Sequence, residues 1–363
     1  MIERYPELAD LVNVHDFGNI VAAGCLAHDI GNPPLGHAGE SAIGSYFQST
    51  EGRETTAGLT PRQRDDLEQF EGNAQGFRVL TRLQLEGDGG LHLTAATLAG
   101  FSKYPREAGC DLRRADKIST KKHGFFQDDR LAFAALARET GLALLEQGAA
   151  MWARHPLAFL VEVADDICYS TLDIEDGVRL GHVRAADAED LLTALANSVD
   201  PARLATCGSN LERIGYLRAR AINKMIDDCV KVFVDNETAI LGGTYGASLA
   251  EHITDTAKLR ALKELAIKTC YCATEVLEIE LAGYRALGGL LSTFVPAAAA
   301  NTPASPMIDK TRTLLVGRGV KLTGGSVYER ILRVTDYVSG MTDRHALATF
   351  RRLTGITIPG RLG

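Results

Sequence analysis

Ile214, Leu217, Ala221, Met225, Cys229 and Phe233 follow one another at steps of three or four, a spacing that an α-helix turns into one continuous apolar face. Leu157, Leu160, Val161, Ala164 and Cys168 recur in the same way. Convincing period-2 alternation is scarce, and the β-like runs at 313–316 and 356–358 leave room for at most one small β-hairpin. The fold class is therefore mainly α. Two polar stretches, 49–68 and 296–310, are expected as surface loops. A third irregular stretch, 103–122, holds seven basic residues against three acids, a local charge of +4. It reads either as a solvated loop or as a lid facing phosphate groups.

That local excess matters because the 363-residue chain carries a net charge of −7, which excludes a globally basic nucleic-acid coat. An anionic ligand must then meet a focused site. The most apolar stretch, 286–300, is short and broken by Gly288, Gly289, Ser292, Thr293 and Pro296, so no membrane segment is expected. The N-terminus has neither a basic region nor an uninterrupted apolar run, and a cytoplasmic location is the expectation. Cys25, Cys110, Cys168, Cys207, Cys229, Cys270 and Cys272 are an odd, scattered set without a CxxC pair. They read as reduced thiols, and neither a disulfide framework nor a structural zinc site is expected.

Residues 21–40, VAAGCLAHDIGNPPLGHAGE, are the most informative segment. An apolar helical run ends in His28-Asp29, and Gly31-Asn32-Pro33-Pro34 must stop it, because proline lacks the N–H and clashes with the preceding turn. Adjacent residues there are about 100° apart around the axis, so an imidazole and a carboxylate can approach one metal ion from two sides. A surface pair or a helix cap uses the same dipeptide. His37 and Glu40 stand at i and i+3, which lets a carboxylate orient an imidazole for proton transfer and equally suits a cap or a salt bridge.

A second constellation runs over 154–177, where Asp165, Tyr169 and Asp173 repeat at i, i+4 and i+8 and form one polar stripe. An acid directly after Leu160-Val161-Glu162-Val163-Ala164 is partly desolvated and needs a cation, a metal or several donors. A buried salt-bridge helix satisfies the pattern, and a metal role follows only alongside His28-Asp29. His155, before Pro156, reads as a helix-start residue, and Trp152, the sole tryptophan, as a core or interface anchor.

The 21–40 segment, FEGNAQGFRVLTRL at 70–83, Lys103-Tyr104-Pro105, Lys121-Lys122-His123-Gly124-Phe125-Phe126, the 154–177 segment and DYVSGMTDRHAL at 336–347 together resemble the bacterial deoxyguanosine triphosphate triphosphohydrolases. These belong to the HD-domain phosphohydrolase superfamily. The resemblance runs in order from about residue 17 to about residue 355. It implies an HD-type helical fold that binds a divalent metal, commonly manganese or magnesium, and hydrolyses a deoxynucleoside triphosphate, dGTP favoured, to the deoxynucleoside and tripolyphosphate. It further implies an HD core over 1–235 with a C-terminal helical region over 236–363 packed on it as one continuous domain. Homo-oligomers, often hexamers, and single-stranded DNA as a partner also come with the family.

By the same resemblance His28, Asp29 and Asp165 are metal ligands, His37 and Glu40 the catalytic dyad, and Tyr169 and Asp173 contacts to the deoxyribose. Asn73, Lys103 and Lys122 match positions near the phosphates, and Arg218 is a further phosphate candidate. The departure lies upstream. The superfamily carries a first metal-binding His in an Arg-Leu-x-His-Ser-type helix well before the HD pair, and the chain begins after that point. His15, thirteen residues before His28, is a poor substitute. A weakened metal site is the expectation, and a catalytically impaired nucleotide- or single-stranded-DNA-binding subunit is the alternative function. A third reading, an HD phosphohydrolase acting on cyclic or monophosphate substrates, leaves Asn73, Tyr169 and Asp173 unexplained.

Overall fold

The computed structural model describes residues 4–8, 10–85, 89–109, 117–145, 150–300 and 305–357. Its first half runs through α1 (Val14–Ala27), α2 (Gly36–Gln48), α3 (Thr50–Thr56), α4 (Pro61–Glu68), α5 (Gly72–Arg78), α6 (Ala95–Phe101) and α7 (Arg130–Glu139). The long α8 (Pro156–Leu180) is followed by α9 (Ala185–Leu195), α10 (Pro201–Ala205), α11 (Asn210–Asp235), α12 (Glu237–Leu241) and α13 (Thr256–Ala266). The chain closes with α14 (Thr274–Ala299), α15 (Pro306–Gly317), α16 (Val327–Ser339) and α17 (Asp343–Leu353). The mainly-α, HD-type expectation holds. No strand or sheet occurs among the described residues, where only isolated bridges pair Arg106 with Met151, Glu107 with Phe125 and Leu144 with Trp152.

Burial follows the helical spacing. In α11 the buried residues are Ile214, Leu217, Ala221, Met225, Cys229 and Phe233, and this face packs on α8 and α9. A second core joins α2, α4, α14, α15 and α16, with Phe47, Leu67, Phe294 and Ile331 at its centre. A third surrounds Phe77, Phe101, Phe125 and Phe133, and Trp152 packs against Phe125 and Phe133 as an anchor. Six cysteines, Cys25, Cys168, Cys207, Cys229, Cys270 and Cys272, are free, and Cys110 lies outside the described residues. No helix of the described residues is long and apolar enough to cross a membrane.

Three sequence expectations fail locally. Residues 49–68 are helical: Ser49 Oγ caps α3 by accepting the Gly52 amide, and Thr60 forms a capping box with Gln63 ahead of Pro61 at the first position of α4. The Ser, Thr and Pro that look like loop residues are helix starts. Pro296 sits inside α14 near its end, among the buried Phe294, Val295, Ala297 and Ala298. The region 306–310 likewise opens α15, with Ser305 as its cap, and 301–304 lie outside the described residues. The candidate strand 313–316 belongs to α15, where Thr311 and Leu315 are buried one turn apart. Ile356 and Thr357 form a bend, and Ile358 is outside the described residues.

Packing brings the informative segments together. α1 lies against α6 and α8, while α2 lies along α14. Between α1 and α2 the backbone of Gly31 is pressed onto α5: a Cβ there would fall 2.1 Å from the Gly76 nitrogen and 2.2 Å from the Gly72 oxygen. No other residue fits, and the His-Asp turn is thereby seated on the start of α5.

Candidate active site

His28 caps the C-terminal end of α1, and its Nδ1 lies 2.7 Å from the carbonyl oxygen of Cys25. A carbonyl can only accept, so Nδ1 carries the proton and donates; in the neutral ring Nε2 is then the lone-pair nitrogen. That nitrogen faces Asp29 Oδ2 at 3.2 Å and, from α8, Asp165 Oδ1 at 3.4 Å. Three acceptor atoms so arranged call for a cation between them. Part of that demand is met by Lys103, whose Nζ donates to Asp165 Oδ2 at 2.7 Å. No closed group of three or more His, Cys, Asp or Glu side chains suited to a metal ion forms among the described residues. The donor types and the fixed tautomer of His28 suit a divalent ion, but the set is open.

Lys103 is itself held from behind. Arg154 donates Nε to the Lys103 carbonyl at 2.6 Å and forms a buried fork with Glu162, at 2.6 and 2.8 Å. His155 starts α8 as its cap, Nδ1 accepting from the Leu157 amide at 3.2 Å.

His37 and Glu40 share the first turns of α2. Nδ1 of the exposed imidazole is 3.4 Å from Oε2 of the buried carboxylate. Glu40 Oε1 accepts from the Gly72 amide at 2.7 Å. Burial pushes the Glu40 pKa up and neighbouring Glu71 adds to it, opposed by Lys122, His37 and the Gly72 amide. The turn entering α2 is strained: Leu35 has φ 67°, the left-handed region, and its amide donates to Asp343 Oδ1 at 2.9 Å. Gly283 on α14 leaves room for the Leu35 side chain, since a Cβ there would meet Leu35 Cδ1 at 2.3 Å.

A cavity of about 350 Å³ opens where these elements meet. His28, Asp29, His37, Asn73, Lys103, Lys122, Asp165 and Tyr169, all singled out in the sequence, line it. So do Asn32, Tyr104, Lys121 and Asp166, which the sequence reading did not place at a site. Asn73 Nδ2 and Lys122 Nζ both donate to Glu71 Oε1, at 2.7 and 2.8 Å. Lys121 and Lys122 come from the stretch 103–122, whose described part is irregular apart from one short turn; its residues 110–116 lie outside the described ones. This stretch therefore does bring basic side chains to a pocket.

Tyr169 leaves just over half of its surface exposed and stacks on Tyr271, with ring centroids 5.9 Å apart and planes 13° off parallel. The Tyr271 hydroxyl donates to Asp173 Oδ2. Burial raises the pKa of Asp173, partly offset by that hydrogen bond. Asp173 lies one turn beyond Tyr169 and is not part of the cavity wall. Tyr271 ends a π-helical turn, Ile267–Tyr271, after α13, and no local pattern in the sequence announces it. Arg218 is not brought to the cavity. It pairs with Glu175 Oε2 at 2.8 Å on the α8–α11 contact, so the phosphate role suggested for it has no support in its position.

Comparison with known proteins finds relatives along most of the chain. A phosphohydrolase-associated domain family matches residues 249–352. A protein of Synechocystis sp. named deoxyguanosinetriphosphate triphosphohydrolase-like is 40% identical over 353 residues, covering 96% of this chain and 79% of its own length. Proteins of the same name from Pseudomonas aeruginosa and Listeria monocytogenes are 36% and 32% identical. These alignments cover 97% and 93% of the chain, and 81% and 78% of the two relatives.

Proposed function

Because this chain belongs to the deoxyguanosinetriphosphate triphosphohydrolase-like family of HD-superfamily phosphohydrolases, we propose that it cleaves a deoxynucleoside triphosphate, dGTP foremost, into the deoxynucleoside and tripolyphosphate. The observation that carries this reading is the meeting of His28, Asp29 and Asp165 with His37 and three lysines around one cavity. A manganese or magnesium ion bound by His28, Asp29 and Asp165 would supply an acidified water and neutralise phosphoryl charge. Lys103, Lys121 and Lys122 attract the triphosphate, at about 1.5–3 kcal/mol per charge-assisted hydrogen bond.

Expulsion of the sugar 5′-oxygen needs a proton, because an alkoxide is a poor leaving group. Glu40 holds the Nδ1–H of His37, which leaves the Nε2–H of the imidazolium for the departing oxygen. The Tyr169 ring, stiffened by its stack on Tyr271, offers a flat face to the deoxyribose and leaves little room for a 2′-hydroxyl. On the resemblance alone we add a homo-oligomer, with a hexamer as one form, single-stranded DNA as a further partner and a cytoplasmic location.

Incubation with each deoxynucleoside triphosphate in the presence of manganese or magnesium tests the proposal. Tripolyphosphate is the expected product; release of pyrophosphate or orthophosphate instead would sink it. One observation favours a second reading, an impaired nucleotide- or single-stranded-DNA-binding subunit: Lys103 occupies Asp165, and the ligand set is open. Nucleotide retained without any hydrolysis is the outcome that reading expects.

A further inference from the structure

Glu71 has no part in the reaction as drawn, yet the polar wall between the dyad and the phosphate-facing lysines is built around it. It stands at the entrance to α5 and is buried. Its Oε1 accepts from Asn73 Nδ2 at 2.7 Å and from Lys122 Nζ at 2.8 Å. The same ammonium is 3.8 Å from Glu40 Oε2. Two carboxylates on different elements therefore share one lysine. The backbone enforces their closeness, because the amide of Gly72, next in chain to Glu71, donates to Glu40 Oε1. A Cβ at Gly72 would fall 2.6 Å from that oxygen.

The groups facing Glu40 are His37 from its own helix, Glu71 and the Gly72 amide from the start of α5, and Lys122. Burial works against the charge of Lys122, but Glu71 and Glu40 outweigh it and hold its pKa above the ordinary lysine value. Lys122 also lines the cavity, where a triphosphate offers several more negative charges than Glu71 does. An ammonium drawn towards the phosphates leaves Glu40 beside Glu71 without their common cation. Two close carboxylates do not both stay ionised under those conditions, and the proton affinity of the pair rises.

We propose that Glu71 is a positioning residue that keeps Lys122 in reserve against Glu40, so that an arriving triphosphate, by drawing the ammonium away, loads one proton from water onto the His37–Glu40 pair. The acid that the leaving 5′-oxygen needs is then charged only when substrate is in place. This inference rests on the triphosphohydrolase reading for its purpose, though not for its physical test.

Binding of inorganic tripolyphosphate at fixed magnesium, followed calorimetrically near neutral pH in two buffers of different ionisation enthalpy, counts the protons exchanged without any turnover. The native chain should take up more protons than either variant. Glu71→Gln, which keeps an acceptor for Asn73, should lose at least half of the uptake, because its single carboxylate stays ionised when the lysine leaves. Lys122→Met should lose it as well, since its Glu40 has no cation to give up. Equal uptake in all three proteins, with the melting temperature of Glu71→Gln unchanged, would overturn the inference.

Turnover gives a second readout. Glu71→Gln should move the basic limb of the kcat profile down by about one pH unit, a roughly tenfold loss above the limb and little loss below it. The same loss at every pH would point to a merely structural role and count against the proposal. Proton uptake by a native chain that releases no tripolyphosphate from any deoxynucleotide would instead refute the hydrolase reading and leave the Glu71 assignment standing.

Discussion

Lys103 Nζ donates to Asp165 Oδ2 at 2.7 Å while Asp165 Oδ1 faces His28 Nε2 at 3.4 Å, so one carboxylate serves a lysine and an imidazole at once. A metal ion arriving at His28 and Asp29 must compete with that ammonium for Asp165.

Lys103→Met should therefore strengthen manganese binding to the substrate-free protein. Removal of a competitor of about 1 kcal/mol corresponds to roughly fivefold. The same change should weaken triphosphate binding, because a phosphate-facing cation is lost. Calorimetric titrations with manganese and with tripolyphosphate read the two effects separately; a fall in both affinities would show that Lys103 supports the metal site and does not compete for it.

His37→Ala should lower kcat by ~10²–10⁴-fold, the usual contribution of a general acid, while manganese affinity stays within about twofold of the native value. The imidazole pairs with Glu40, whereas His28 pairs with Asp29 and Asp165, which is why the two properties separate. Loss of metal together with turnover would remove His37 from the proton-transfer role.

Tyr169→Ala should reduce the preference for deoxy- over ribonucleotides more than it reduces triphosphate binding. Tyr271→Phe keeps the ring stack but removes the hydroxyl that holds Asp173, and should give a smaller loss of the same kind. The ratio of kcat/KM for dGTP and GTP is the measurement. An unchanged ratio in Tyr169→Ala would exclude the ring from the sugar site.

Stability should fall as pH rises through neutrality because of Asp66 on α4. Burial raises its pKa to about 8, against hydrogen bonds from the Tyr328 hydroxyl and the Gln127 amide. Between the ordinary carboxylate range and about pH 8 the folded chain keeps a proton that the unfolded chain gives up. Its stabilising effect is complete at acid pH and lost as pH climbs through the folded pKa. Asp66→Asn should thus compare better with the native chain at pH 8.5 than at pH 5, by a few degrees in Tm. A difference independent of pH would mean that Asp66 is ionised in the folded protein.

Much of this arrangement could be read from the sequence wherever the signal is local. The α11 spacing named its buried face residue by residue, and the 21–40 segment placed a His-Asp pair at a helix end and gave His37 and Glu40 a spacing that pairs them if the segment is helical, as α2 is. The short helices of 49–68 escaped because Ser49 and Thr60 serve equally as loop residues and as caps, and only tertiary burial of Thr56 and Leu67 decides between them. Tyr271 and Asp173 are 98 residues apart, and neither carries a pattern that predicts the other. The partner of Arg218 was illegible for the opposite reason: a basic residue on a regular helix has a local spacing that says nothing about which group, here Glu175, lies across the interface.

The left-handed turn at Leu35 is tied off by Asp343, 308 positions later in the chain. During synthesis the helix bearing His37 and Glu40 thus emerges long before the residue that fixes its entrance. A nascent chain still lacking α17 holds every side chain of the cavity wall but not the clasp that sets their approach. The left-handed entrance to α2 is thus fixed only once α17 has been made and folded against it.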